Sequence, residues 1–388
     1  MTVTATNPLH RLSPEEIEEL GAQFQAIHDE VMADLGERDA VYIRSMIEFH
    51  RRLAVMSRVV LMASRYRPAW LLGTAGLSVA KILENMEIGH NVLHGQWDWM
   101  NDPSIHSSTW DWDTASPASA WKHSHNYLHH TYTNVIGKDR DLGYDIMRID
   151  PRQPWHPVYL LQPFYNLLLM GLFEWGVAVH DLDFQAIRKG DKPKDQLRDE
   201  LRAIGLKARR QIVKDYIAFP LLSGREWKKT VRANLTANFV RNLWSHAIIF
   251  CGHFPDQAYT FTEADMEDET RGRWYVRQLL GAANIEGSPA FHVMSGNLSY
   301  QVEHHLFPDM PSSRYQEIAP RVRAICERYG LPYNTGPFRK QWGSVQRTIL
   351  RLAFPGGRER PKAGPWREPE AVPEPAAAGV APGVPAFP

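Results

Sequence analysis

The chain has almost no cysteine: Cys251 and Cys326 are the only two in 388 residues. Two cysteines build neither a disulfide framework nor a thiolate metal site. A bound metal would therefore need imidazole and oxygen ligands, which favours iron, zinc or another borderline ion. Net charge is also missing, since 44 basic residues balance 44 acidic ones. That gives no argument for nucleic-acid binding, which wants a basic surplus or a basic face. There is no G-x-G-x-x-G, no His-Pro-Gly-Gly haem signature and no cysteine cluster. No built-in nicotinamide, flavin, haem or iron–sulfur module is expected. Long apolar runs are scarce, and mean hydropathy is −0.39. Only 156–179 approaches the roughly 20 continuous apolar residues that a membrane span needs. The stretches 68–90, 216–224 and 233–254 are shorter or interrupted by polar side chains. Each reads as a membrane segment or as a buried core helix. The start, "MTVTATNPLHRLSPEEIEEL", has no basic stretch followed by an apolar core, so no secretory signal is expected there.

No internal repeat and no strand-rich region is visible, so a mainly helical protein is expected. Residues 12–50 read as amphipathic helix. Ser13, Pro14, Glu15 and Glu16 make a good start: a capping hydroxyl, a proline in the first turn, then acids against the helix dipole. Residues 51–90 are mostly helical, and 95–155 are polar and rich in Trp and His. Residues 181–215 are strongly charged, a solvated face or an interfacial helix. Residues 312–352 look like soluble helices. From Pro355 onward Pro, Ala and Gly dominate, and such a segment buries too little apolar surface to order itself. The expected division is 1–50 N-terminal helices, 51–354 main domain and 355–388 disordered tail.

What is abundant is histidine, with 17 residues. Three clusters stand out. "GHNVLHGQ" sets His90 and His94 at i and i+4, with Glu87 close to the same face. "HSHNYLHHTYTN" sets His125 and His129 at i and i+4, with His130 next. "QVEHHLFP" sets Gln301 at i, His304 at i+3 and His305 at i+4. On an α-helix, i, i+3 and i+4 share a face, while adjacent residues diverge by about 100°. A neighbouring pair can therefore serve two different ions. The clusters supply seven histidines, enough for most of the shell of two ions. A single His pair is compatible with a polar loop; three clusters at ligand spacing are hard to obtain by accident. A zincin would need H-E-x-x-H, but Asn91 follows His90. A carboxylate di-iron bundle would need two Glu-x-x-His motifs, and only Glu87 to His90 supplies one.

These motifs resemble the membrane fatty-acid desaturase family, the histidine-box di-iron enzymes. "HNVLHG" is similar to its first box, "HNYLHHTYTN" to its second and "QVEHHLFPDMPSSRY" to its third. The wording of the first two boxes is closest to actinobacterial acyl-CoA desaturases, and the resemblance covers roughly 40–350. It implies a polytopic membrane helical bundle with a cytosolic helical cap carrying a di-iron site. It implies two irons on His90, His94, His125, His129, His130, His304 and His305, with one more ligand near the end of the last span. His253 in "CGHFP" is offered for that place, with Asn242 and His246 as runners-up. Asn297 before the third box is a weaker candidate. Gln301 departs from the all-histidine pattern, and its amide oxygen binds metal more weakly than imidazole. His106, His123 and His292 read as supporting or structural.

The boxes must converge on one side. The basic stretch 188–210 is expected to stay cytosolic, with 212–224 and 233–252 forming a hairpin. The positive "GREWKK" at 224–229 then falls on the outer side and conflicts with that rule. The reaction implied is O2-dependent removal of two hydrogens from neighbouring methylenes of a long acyl chain, carried by CoA or by lipid, to give a cis double bond. Two electrons must come from a separate reductase with a ferredoxin or a flavin/iron–sulfur protein. The location implied is the cell membrane, with the active site facing the cytosol and no nucleic-acid partner. The actinobacterial likeness points to Δ9 on saturated C16–C18 acyl-CoA, while the Gln-type third box keeps front-end insertion open. Hydroxylation at the same centre and non-catalytic metal binding are the rival functions.

Overall fold

The computed structural model describes residues 7–357, 360–362 and 364–367. Helix α1 (Pro14–Ala33) starts as its sequence directs. Ser13 Oγ accepts the Glu16 N–H at 3.2 Å, and the Glu16 carboxylate accepts the Ser13 N–H at 2.8 Å. The 12–50 stretch is not one helix, because the chain breaks at 34–36. Gly36 then caps α2 (Glu37–Met62), with its N–H held by the Asp39 carboxylate at 3.1 Å. Helix α2 runs unbroken through the expected boundary at 50/51.

Helices α2 and α3 (Arg67–Leu83) form a hairpin. Glycine permits their close approach: a Cβ on Gly76 would lie 2.4 Å from Ser57 Oγ. The stretch nearest to span length, 156–179, is also broken. A 3₁₀ turn at Pro157–Leu161 leads into α4 (Gln162–Gly171). The backbone leaves helical geometry at Leu172 and resumes as α5 (Phe173–His180). Helix α6 (Lys194–Ile212) continues through a π turn, Val213–Ala218, into α7 (Phe219–Leu222). After a short turn, α8 (Trp227–His253) returns. The hairpin expected from 212–224 and 233–252 is therefore present, but its first arm already begins at Lys194. The two hairpin tips touch, since Trp70 Nε1 donates to the Lys229 carbonyl at 3.0 Å and Lys229 Nζ to the Arg65 carbonyl at 3.3 Å. Their positive charge lies roughly 40 Å from His253, at the far end of the 27-residue α8.

Among the described residues no helix is long and apolar enough to cross a membrane. Large apolar side chains nonetheless face outward on both hairpins: Val55, Met56 and Val59 on α2, Leu71 and Leu72 on α3, Leu235 and Phe239 on α8.

The cap is built from α1, α9 (Arg271–Gly281), α10 (Gln301–Leu306), α11 (Tyr315–Arg328) and α12 (Phe338–Leu352). Its core packs Phe24, Tyr275, Phe307 and Tyr315. A short parallel pair, β1 (Asn284–Glu286) and β2 (Thr335–Pro337), lies behind α10. Asn284 Oδ1 accepts the Val302 N–H at 2.8 Å, and the Glu303 carboxylate accepts from Tyr333 OH at 2.7 Å. These bonds fix the short helix that carries the third histidine cluster. The disorder expected from 355 falls, beyond 367, outside the described residues. The described positions before it lie on the body: Trp366 N–H donates to the Leu331 carbonyl at 2.8 Å, and its ring meets Tyr333 at 5.4 Å.

Candidate metal centre

The first two clusters do not sit on regular α-helix. His90 ends a π-helical turn, Glu84–His90, that prolongs α3. His125 and His129 lie in a second one, Lys122–His129. Such widened turns recur at functional sites. The consequence is geometric. In an α-helix, adjacent His129 and His130 would diverge by about 100°. In this turn both stay near His125, with ring centroids 5.0 and 5.1 Å away. The third cluster is a single α-helical turn, and His253 closes α8.

Eight imidazoles converge. One group joins His90, His94, His125 and His304, and a second joins His129, His253 and His305. His130 lies with His304 and His305 between them, and within each group the ligand atoms lie within 4.8 Å of one another. His304 and His305 thus fall in different groups. His90 Nε2 stands 3.4 Å from His304 Nε2, and His253 Nε2 stands 3.3 Å from His305 Nε2. Gln301 Nε2 is 3.0 Å from His253 Nε2, so the glutamine borders the second group.

The outer nitrogens are held. Asp139 takes His129 Nδ1 at 3.0 Å, and Asp141 takes His125 Nδ1 at 3.1 Å. Asp141 also meets His180 Nε2 at 2.9 Å. Gln278 Oε1 lies 2.9 Å from His305 Nδ1, and Tyr315 OH lies 3.3 Å from His304 Nδ1. A hydrogen bond at one ring nitrogen fixes the tautomer and aims the other nitrogen inward. Burial, reinforced by repulsion among neighbouring imidazoles, pushes His94, His130, His304 and His305 well below the usual histidine range. They are neutral at physiological pH, with lone pairs available. His129 is the exception. Burial pushes it down, but the charge and hydrogen bond of Asp139, with Asp141 behind, outweigh that and raise it.

The residues present fit a metal. Nε2 of His94, His125, His129 and His130 is buried without a hydrogen-bond partner, and so is Gln301 Oε1. Orphaned buried polar atoms each cost about 1–3 kcal/mol. Cations at the focus of these lone pairs would remove that cost, and a nitrogen-rich, thiolate-free set suits iron or zinc. Both cysteines are buried outside these ligand groups.

The other sequence candidates lie apart. His246 Nε2 meets Asn166 Oδ1 at 3.0 Å, and its ring stacks on Phe250 at 3.7 Å. Asn242 donates to the Gly171 carbonyl at 2.8 Å. Both face α4 and α5 two to three turns from His253, so neither joins the shell. Asn297 donates to Glu87 at 3.0 Å, and that carboxylate also accepts from Tyr42 OH at 2.6 Å. His292 meets Ser299, His106 meets Ser108, and His123 stacks on Tyr127. The helpers missed in the sequence are Asp139, Asp141, His180, Gln278 and Tyr315. The two aspartates carried a faint signal in "KDRD", just after the second cluster.

A narrow cavity reaches His90 and His125. Its lining includes Trp112, Trp121, Phe173, Glu174 and Arg241. The last two side chains form a buried ion pair.

Fold and shell define a class: helical proteins with a histidine-rich centre, able to hold metal, beside a cavity. A family model described as "Fatty acid desaturase" matches residues 68–337. The chain is 48% identical over 359 residues to the NADPH-dependent stearoyl-CoA 9-desaturase of Mycobacterium tuberculosis, covering 92% of this chain and 84% of that one. It is 26% identical over 291 residues to the sn-1 linoleoyl-lipid 6-desaturase of a Synechocystis strain, covering 72% and 79%. The chain belongs to the fatty acid desaturase family. It is an oxidoreductase that introduces a double bond into a fatty acyl chain.

Proposed function

We propose that the chain makes a cis double bond at C9 of a saturated long-chain acyl-CoA, at a di-iron centre, using O2 and two electrons. The observation that carries this reading is the convergence of eight imidazoles beside a cavity that His90 and His125 line. His90, His94, His125 and His304 would hold one iron and His129, His253 and His305 the other, with His130 between. Gln301 is the weakest candidate. Bound iron supplies the ability to reduce O2 and to take hydrogen from an unactivated methylene.

The chain's own residues supply position. Asp139 and Asp141 keep His129 and His125 in the tautomers that face inward. Trp112 and Trp121 wall the cavity, and Trp121 stacks on His125 at 4.6 Å. An acyl chain lying there presents one methylene to the shell and excludes water. The methyl end meets Arg241 and Glu174. An alkyl group does not displace a buried ion pair, so this floor limits chain length.

The catalytic body, to which α1 and α2 also belong, is sited in the cell membrane with the histidine centre facing the cytosol. Outward apolar side chains on both hairpins support that siting, because an apolar surface of this extent needs a cover. A separate reductase supplies the electrons, as the NADPH dependence in the relative's name supports. The Gln301-type third box and the Synechocystis relative support a second reading, insertion at C6.

The test is purified protein loaded with iron, with a reductase chain and stearoyl-CoA. Gas chromatography–mass spectrometry of the product should show loss of two hydrogens and a double bond at C9. A C6 product selects the second reading, and an added oxygen means hydroxylation. No O2 consumption sinks the enzyme reading.

A further inference from the structure

Two cavities reach the histidine shell, and their walls differ in kind. The acyl cavity meets it at His90 and His125 through an aromatic wall. The other is a small cleft whose lining includes His253, Asp150, Asp256, Arg351, Arg360 and Lys362. His253 belongs to the opposite imidazole group.

The cleft turns its positive charge outward. Asp256 is anchored inside, its side chain 6% exposed, and it pairs with Arg347 at 2.7 Å and Arg360 at 3.2 Å, whose side chains are 51% and 41% exposed. Asp150, 4% exposed, pairs with Arg152, 41% exposed, at 3.0 Å. In each pair the carboxylate is buried and the guanidinium faces solvent. Between positions 347 and 367 the sequence has six basic residues and one acidic residue. Burial first, and then the charges of Arg360, Arg347 and Arg148 against the pull of Asp256, lower Arg351 from its ordinary range, as expected where cations crowd.

The reaction consumes two electrons, and the sequence carries no flavin, haem or iron–sulfur signature to supply them. We propose that this cationic cleft docks an acidic one-electron iron–sulfur protein, which delivers electrons to the centre beside His253. The proposal rests on the iron-dependent desaturase reading. The balance is complete: two donor molecules are each oxidised by one electron, two protons come from solvent, the acyl chain loses two hydrogens and O2 becomes two waters. A cationic rim favours an acidic partner by steering its approach. The CoA nucleotide and anionic lipid are also anions, but neither needs access to His253.

The test uses full-length iron-loaded protein, stearoyl-CoA, and a plant-type [2Fe–2S] ferredoxin reduced by its NADPH reductase. The variant is Arg347→Glu with Arg360→Glu, two exposed residues outside the histidine shell. Ferredoxin KM should rise about tenfold or more at low salt, and the wild-type rate should fall steeply with ionic strength while the variant's does not. The kcat at saturating ferredoxin and the KM for stearoyl-CoA should be unchanged. Arg360→Gln alone leaves Arg347 on Asp256 and should give a smaller rise in the same direction. It stands in if the double variant does not fold. An unchanged ferredoxin KM overturns the proposal, as does a wild type that takes no electrons from ferredoxin. A raised KM for stearoyl-CoA assigns the cleft to the nucleotide. Weakened binding to phosphatidylglycerol vesicles with unchanged ferredoxin KM assigns it to lipid. A single turnover after dithionite reduction separates the two levels. Product from wild type and variant alike leaves the desaturase reading intact whatever the cleft does, while no product from wild type sinks that reading instead.

Discussion

The histidine centre and the hairpin bundle both bury polar groups, and they treat them differently. In the bundle, buried charges meet partners of opposite sign. Asp215 accepts from Lys81 at 2.7 Å and from Arg58 at 3.2 Å, and Glu174 pairs with Arg241. In the centre the carboxylates stand behind the rings, and the nitrogens that face one another include several with no hydrogen-bond partner. A satisfied buried network holds helices together; an unsatisfied one is built to receive something. Buried polarity alone therefore does not mark a site, whereas unpartnered lone pairs aimed at a common point do.

Substitutions in the two regions should separate these roles. The largest effect belongs to His304→Ala, which should lower desaturation by roughly 100-fold or more and reduce iron per chain. The same change should move the Tm of the metal-free protein by only about 2–4 °C. Metal analysis beside a melting curve checks it, and unchanged iron content would remove His304 from the shell. Lys81→Met should do the reverse. It leaves Asp215 short of a partner in a buried setting and costs about 3–5 kcal/mol of stability. Iron per folded chain should stay at the wild-type value. If iron is lost while stability holds, the contrast between the regions collapses.

Smaller effects sharpen the comparison. Asp139→Asn keeps the shape beside His129 but weakens its hold on the ring. Iron affinity should fall by about 10–100-fold, measured by competition with a chelator. Arg241→Met with Glu174→Leu replaces a buried ion pair by apolar side chains of similar size. Stability should stay within about 1–2 kcal/mol, and products should shift to longer acyl chains by gas chromatography. The smallest change belongs to His246→Phe, which leaves Asn166 Oδ1 unpaired at a cost of about 1 kcal/mol. Its iron content should match wild type, and a loss of iron would place His246 nearer the shell than its contacts with Asn166 and Phe250 do.

Much of the centre was legible because ligand pairs lie close together in the chain. His90 and His94, His125 and His129, and Gln301 with His304 and His305 are all visible as helical spacings. The π-helical turns were not, because they depend on how α3 and the second cluster pack. They change which residues meet, bringing His130 as well as His129 near His125. His253 rested on family likeness, since one histidine at a helix end has no spacing to read. Gln278, Tyr315 and His180 carry no local signal; Gln278 reaches His305 from 27 residues away, Tyr315 reaches His304 from 11 residues away on another element, and His180 acts through Asp141. The start of the tail shows the opposite limit of composition. Its composition reads as disordered, yet Trp366 docks on Leu331 and Tyr333, and Arg360 and Lys362 line the cationic cleft.

The sequence by itself determined the chemistry. With two cysteines and seventeen histidines, a metal would be met by imidazole, and spacings of three and four residues present those rings in groups. Only the tertiary structure decided which groups meet, which carboxylate stands behind which ring, and which cavity reaches which side of the shell. The physical reason is range: helical periodicity operates over a few residues, whereas a centre assembled from positions 90 to 305 depends on the packing of whole helices.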